Sequence, residues 1–291
     1  MRYYAYRGEA PNFGDELNHF LMPRLLDGML DGRDDPLVLG IGSILFDHHP
    51  ADVMKLVLGA GYGGYTAKPA IDARWTIYAV RGPRTARALG LEQRLVAADL
   101  AVLVGRHRAP TGVKTHKRAF IPHFQSLERA DWVSVAKQAD LFFIDPRWPV
   151  EQVLDAIEQS ELVVAEAMHG AIVADALRTP WVALTPLDPQ HQFKWHDWAE
   201  ALGMTLRPRP LAAASFYEAL DNFRLAGRSG KRFIRPWQRQ LRGFAREGFE
   251  ARAAASLAAA AAEPMLSSDA ALSGAVAHLE ESLSALRHDF G

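Results

Sequence analysis

The chain contains no cysteine, which excludes disulfides, thiolate metal sites and a cysteine nucleophile. It has no run of about 18 or more uncharged apolar residues, so no segment is expected to cross a bilayer. The opening MRYYAYRGEAPNFGDEL lacks the apolar stretch of a signal peptide, and a cytoplasmic protein is expected. An excess of one charge is missing too. The 33 basic and 34 acidic side chains leave a formal net charge of −1, which gives the whole chain no electrostatic footprint for nucleic acid. No Walker A loop and no full dinucleotide fingerprint are present. The histidines form no HxxxH or HxH pair, so no metal site is expected.

What is present describes a soluble enzyme of ordinary composition: 291 residues, 49% hydrophobic and 23% charged. The length exceeds the usual single domain. Short apolar runs alternate with helical patterns up to about residue 205. Strands are predicted at Arg2–Tyr6, Pro36–Ile41, Val53–Leu58, Thr76–Val80 and Ala101–Val104, then at Arg118–Pro122, Leu141–Ile144, Leu162–Val164 and Trp181–Leu184. Helices are predicted at Asp15–Leu30, Pro83–Leu89, Val150–Gln159 and Gly170–Leu177. This alternation predicts an α/β protein with parallel sheets. The basic, turn-rich stretch Gly105–Lys117 divides it into Rossmann-like domains at 1–109 and 110–211. A helical tail at 212–291 follows, first basic (Arg224, Arg228, Lys231, Arg232, Arg235, Arg239, Arg242, Arg246) and then Ala-rich, with its helices packed across the two domains or partly forming a surface appendage.

Three junctions lead from a strand end into a helix start, where unsatisfied backbone N–H groups attract anions. At Val80-Arg81-Gly82-Pro83-Arg84, the arginines Arg81 and Arg84 flank a helix mouth and either grip phosphate or carboxylate or are solvated or paired with acids. At Glu166-Ala167-Met168-His169-Gly170, Glu166 and His169 are candidates to shuttle protons, with Glu166 a capping or ion-pairing residue otherwise. At Asn12-Phe13-Gly14-Asp15, the group Asn12, Asp15 and Asn18 either starts a helix or presents hydrogen bonds to a sugar. Farther on, Lys194 could pair with a phosphate. Trp195 and Trp198, at helical spacing, would contact a ligand or anchor a core.

The motifs NFGDELN, VRGPRT, AADLAVLV and EAMHGAIVADALRTPW together resemble the polysaccharide pyruvyltransferase family, over roughly residues 10–205. The nearest resemblance is to the branch that places ketals on bacterial exopolysaccharides. It implies a GT-B-like fold with two domains facing a cleft, phosphoenolpyruvate as donor, and a sugar acceptor, here expected on a lipid carrier. In this scheme Arg81, Arg84, Gly170 and Lys194 hold the donor, while Asn12, Asn18 and Trp195 hold the acceptor. His169 acts as general acid, and Glu166 or Asp15 as base. No cofactor or metal is required. One departure stands out: many members carry Arg-Leu-His-Gly where this chain has Ala167-Met168-His169-Gly170. Arg84, Lys194 or Arg178 could replace that arginine. Two rival expectations are a nucleotide-sugar glycosyltransferase, with Glu166 or Asp175 on the donor ribose, and a non-catalytic scaffold whose basic tail lies on anionic lipid.

Overall fold

The structure, a computed structural model, describes residues 1–8, 10–108, 111–186, 188–226 and 237–291. It divides into two compact units, each holding one four-stranded parallel sheet. The predicted boundary at 109/110 and the basic residues from Arg228 to Arg235 lie outside the described residues.

The first unit comprises residues 1–109, 193–206 and 267–291. Its sheet runs in sequence order: β1 (Arg2–Tyr3), β2 (Leu37–Leu39), β3 (Lys55–Leu58) and β4 (Trp75–Ala79). β2 and β3 are buried on both faces, which is why they read as unbroken apolar runs. Helix α1 (Phe13–Leu25) follows β1 and α2 (Pro83–Leu89) follows β4. The run Ala101–Val104, read as a strand, is part of a 3-10 helix, Leu100–Arg106. Asp99 explains the difference: its carboxylate accepts the N–H of Ala101 and starts the helix. Because the segment is buried all round, it shows no polar face, and a short apolar run cannot be told from a strand by periodicity.

The second unit comprises residues 110–192 and 207–266. Its sheet runs β6 (Phe142–Phe143), β5 (Ala119–Ile121), β7 (Val163–Ala165), β8 (Trp181–Ala183). The chain begins this sheet in the middle, adds a strand on one side, then reverses to build the other. A topological switch point therefore falls between β5 and β7. Helices α4 (Val150–Glu158) and α5 (Met168–Ala176) join successive strands. A core of Phe120, Val164 and Val182 packs against Trp132, Val135 and Ala136 of α3 (Trp132–Gln138).

The predicted tail is shared between the two units. Of its helices, α7 (Phe216–Ala226), α8 (Gln238–Gly243) and α9 (Arg246–Ala260) belong to the second unit, whereas α10 (Asp269–Phe290) belongs to the first. Residues 193–206, expected in the second domain, belong to the first as well; they carry most of α6 (Gln192–Ala201). The alanines Ala253, Ala254 and Ala260 are buried and let α9 lie close against the second unit's core. In α10, Leu279 and Leu286 are fully buried, and Arg287 donates to the carbonyl of Leu25 at the end of α1. An amphipathic helix is stabilised mainly by burying its apolar stripe, and the two sheets supply the surfaces. Leu257→Ala and Leu279→Ala should therefore each cost about 2–5 kcal/mol of stability in urea denaturation. A surface appendage would show almost no change.

Candidate active site

In the second unit, the carboxyl ends of β5 and β7 meet at the switch point. The backbone N–H of Glu166, just past β7, donates to the carbonyl of Ile121 at the end of β5. The Glu166 side chain then turns back across the gap. Its Oε2 accepts the N–H of His123 at 2.8 Å and its Oε1 accepts the hydroxyl of Ser126 at 3.0 Å. Burial raises the carboxyl pKa to about 7, against the lowering effects of those two hydrogen bonds and of nearby Arg129. A carboxyl poised near neutrality can give or take a proton at working pH.

His169 occupies the first turn of α5, partly buried, beyond the same strand. Gly170 follows for a steric reason: a Cβ there would lie 2.7 Å from a side-chain carbon of Ile121. The glycine thus lets α5 press against β5. The rings of His123 and His191 lie 5.4 Å apart. Sequence reasoning missed His123 and Ser126 as site residues. The signal was the rule that singled out Glu166, because His123 also follows directly on a strand's carboxyl end. Two other candidates are displaced. Arg178 and Asp175 sit at the far end of α5, where the buried Asp175 accepts the indole N–H of Trp181. Arg178 there cannot replace an arginine expected at Ala167, nor can Asp175 grip a ribose at the carboxyl edge.

In the first unit, the turn carrying Arg81 holds an anion, and that anion is internal. Arg81 and Asp197 are both fully buried, with Nε to Oδ2 at 3.0 Å. The guanidinium also donates to Ser43 Oγ at 2.9 Å and to the carbonyl of Tyr62 at 2.7 Å. Asp197 Oδ1 accepts the N–H of Thr85 at 2.8 Å and Oδ2 accepts the Thr85 hydroxyl at 2.6 Å. Residue 82 is glycine and has no capping side chain, so a carboxylate from α6 caps α2 from outside. A Cβ on Gly82 would fall 2.0 Å from the carbonyl oxygen of Asp197, and one on Gly61 2.2 Å from the Arg81 guanidinium carbon. Arg84 makes a parallel pair one turn on, donating to both oxygens of Glu200. Arginines three apart on one side meet carboxylates three apart on the other. Asp197 and Ser43 were missed, although the matching spacing of RGPR and DWAE was legible.

The donor-binding assignment of Arg81 is therefore corrected, because the internal carboxylate of Asp197 occupies its buried guanidinium, whereas Arg84 pairs with Glu200 at a partly exposed position. Two acceptor assignments are corrected as well. Asn18 is fully buried, donating to the carbonyl of Ile41 and accepting its N–H, both at 3.1 Å. Trp195 is a buried anchor, edge-on to Trp198 at 6.4 Å. Asn12 and Asp15 stay partly buried at the start of α1, with Asn12 Nδ2 donating to Asp15 Oδ2. Lys194 is partly buried on α6. Among the described residues, no group of three or more His, Asp or Glu could hold a metal ion.

A family model described as polysaccharide pyruvyl transferase matches residues 56–189. That span includes both the Arg81 and the His169 turns. Succinoglycan biosynthesis protein ExoV of Rhizobium meliloti (strain 1021) is 34% identical over 315 aligned positions that cover all of both chains. No solved structure gives a significant match.

Removing one partner of a buried ion pair strands the other charge, at a cost of about 3–5 kcal/mol. Asp197→Ala and Arg81→Ala should therefore both lower the urea midpoint of the first unit. The double change Arg81→Met with Asp197→Leu should recover part of that loss. An Arg81→Ala protein as stable as the wild type would place the arginine on a ligand instead.

Proposed function

The chain belongs to the polysaccharide pyruvyl transferase family and is a polysaccharide pyruvyltransferase; from that premise we propose that it moves the enolpyruvyl carbons of phosphoenolpyruvate onto a sugar of an exopolysaccharide repeat unit, as a cyclic ketal. The relative's name ties that protein to succinoglycan biosynthesis, and a comparable repeat unit on a lipid carrier is the acceptor we propose here. A GT-B-like fold is the finer description proposed with it, supported by the two parallel α/β units.

One observation carries the reading: the near-neutral carboxyl of Glu166 sits at the switch point of a parallel sheet, with His169 on the helix turn just beyond. Ketal formation needs a proton delivered to the methylene carbon of the donor, which makes C2 electrophilic. A sugar hydroxyl attacks C2 and gives up its proton, and a second hydroxyl displaces phosphate to close the ring. His169 is proposed as the acid and Glu166 as the base. Asp15 is the alternative base, already holding the side-chain amide of Asn12. The α5 N-terminus offers its dipole to a negative group, and Lys194 is the cation proposed for the donor.

Purified protein should release inorganic phosphate from phosphoenolpyruvate only when a lipid-linked acceptor is present. His169→Ala and Glu166→Gln should each reduce kcat by about 10²–10⁴-fold. A base with a pKa of about 7 is ionised above that pH. The wild-type kcat/KM should accordingly fall as pH drops through about 7, and Glu166→Gln should flatten that limb. Full phosphate release by His169→Ala would remove the acid. A rise in melting temperature with UDP but not with phosphoenolpyruvate would favour a nucleotide-sugar glycosyltransferase.

The lipid-linked acceptor calls for peripheral contact with an anionic membrane. No helix of the described residues is long and apolar enough to cross one. Trp237 and Phe244 are exposed at the two ends of α8, with Arg239 and Arg242 between them. Exposed aromatics beside arginines suit a membrane interface. The protein should cosediment with phosphatidylglycerol vesicles, less so as salt rises. Replacing Trp237 and Phe244 by Ser and Arg239 and Arg242 by Gln should release it. Equal binding to neutral phosphatidylcholine vesicles would overturn the preference for anionic lipid, and no cosedimentation with either would overturn the membrane contact.

A further inference from the structure

A cavity of about 220 Å³ opens in the second unit, lined by Trp132, Glu166, Thr185, Glu218 and Asn222 among others. Glu166 and Thr185 bring it to the carboxyl ends of β7 and β8. Two of its lining side chains have buried polar atoms without a hydrogen-bond partner among the described residues: the indole N–H of Trp132 and the amide oxygen of Asn222. Trp132 is only 1% exposed. Leaving an N–H unsatisfied at such a depth is costly, and a bound group that accepts from it recovers that cost.

The two carboxyls also keep capacity to spare. Glu218 begins α7 in a capping arrangement: its N–H bonds to Ser215 Oγ, and its Oε2 accepts the N–H of Ala214. Each carboxylate oxygen can accept two hydrogen bonds. Three carboxyls, Glu166, Glu218 and Asp221, surround one guanidinium, Arg129, which pairs with Asp221 at 2.8 Å. Burial, with Glu166 nearby, raises Glu218 to about 8. A phosphate or carboxylate entering here would find the nearby guanidinium already paired with Asp221. A ring bearing neutral hydroxyls would meet one donor and several acceptors.

We propose that this cavity is the subsite for the neutral sugar ring of the acceptor, bound through its hydroxyls to the Trp132 indole N–H, the Asn222 amide oxygen and the Glu218 carboxyl. The inference rests on the pyruvyltransferase reading, in which an acceptor hydroxyl must reach Glu166. The size admits about one ring, so a longer acceptor would extend outward from it.

Simple methyl glycosides of glucose and galactose are suitable probes. In the two-dimensional NMR spectrum of tryptophan indoles, the resonance absent from Trp132→Phe identifies this N–H. It should move on titration with a methyl glycoside and stay in place with inorganic phosphate or phosphoenolpyruvate. Trp132→Phe and, as a variant that keeps the capping geometry, Glu218→Gln should each weaken glycoside binding about tenfold, the effect of losing one hydrogen bond of about 1.4 kcal/mol. An indole resonance unmoved by both glycosides, or moved by phosphate instead, would overturn the assignment. So would unchanged glycoside affinity in a folded Glu218→Gln. These readings need no turnover, so a wrong donor would show in the phosphate-release assay while leaving glycoside binding intact.

Discussion

The carboxyl edge of the first sheet depends on one buried ion pair. Arg81 leaves β4, passes under the glycine loops that follow β2 and β3, and meets Asp197 from a segment more than a hundred residues later in the chain. Neither charge is solvated, so each must be satisfied in full. The structure does this with Ser43, the Tyr62 carbonyl and Thr85 as further partners. Gly61 and Gly82 are the steric counterpart, for each would place a Cβ inside the space the pair occupies. Motif, glycine loops and the 193–206 segment therefore form one constraint, and changing any of them disturbs the others.

This constraint also explains where sequence reading succeeded and failed. The prediction that the Arg-Gly-Pro turn is an anion site was correct in its physics and wrong in its ligand. A helix mouth flanked by arginines attracts a carboxylate, but nothing local distinguishes a substrate's carboxylate from one supplied by α6. The Asn18 and Trp195 assignments failed for the same reason, because a side chain able to contact a sugar is equally able to tie α1 to the strand end at Ile41, or to fill a core. Strands and helices were more legible. Of the strands, only Ala101–Val104 was mistaken, because that run of its Asp99-capped helix is buried throughout. For the tail, helices packed on both domains is one of the two readings the sequence allows; which sheet each helix covers is decided by surfaces far away in the chain.

Glu166 illustrates a feature that is local in sequence and non-local in effect. It is three residues from His169, yet both of its oxygens turn to residues following β5, forty or more positions earlier. The strand order of the second sheet makes this possible. Because β5 and β7 are neighbours whose connections leave in opposite directions, the carboxyl edge between them is not filled by crossover loops. Burial there raises the carboxyl pKa, and the hydrogen bonds from His123 and Ser126 limit the rise. The same edge opens into the cavity that Glu218 shares, so proton transfer and hydroxyl recognition fall to adjacent carboxyls with different surroundings.

The placement of α10 bears on how the polypeptide matures on the ribosome. The strands of the first sheet emerge early, but Leu279 and Leu286, which α10 buries in that unit, emerge only after every strand and helix of the second unit. Throughout that interval the nascent first unit lacks α10 and leaves the apolar surface it will cover open to water, the condition under which chaperones engage and aggregation competes. The second unit completes its own helical layer with α9 before α10 is made. The half of the molecule that is translated first is thus the half that finishes folding last.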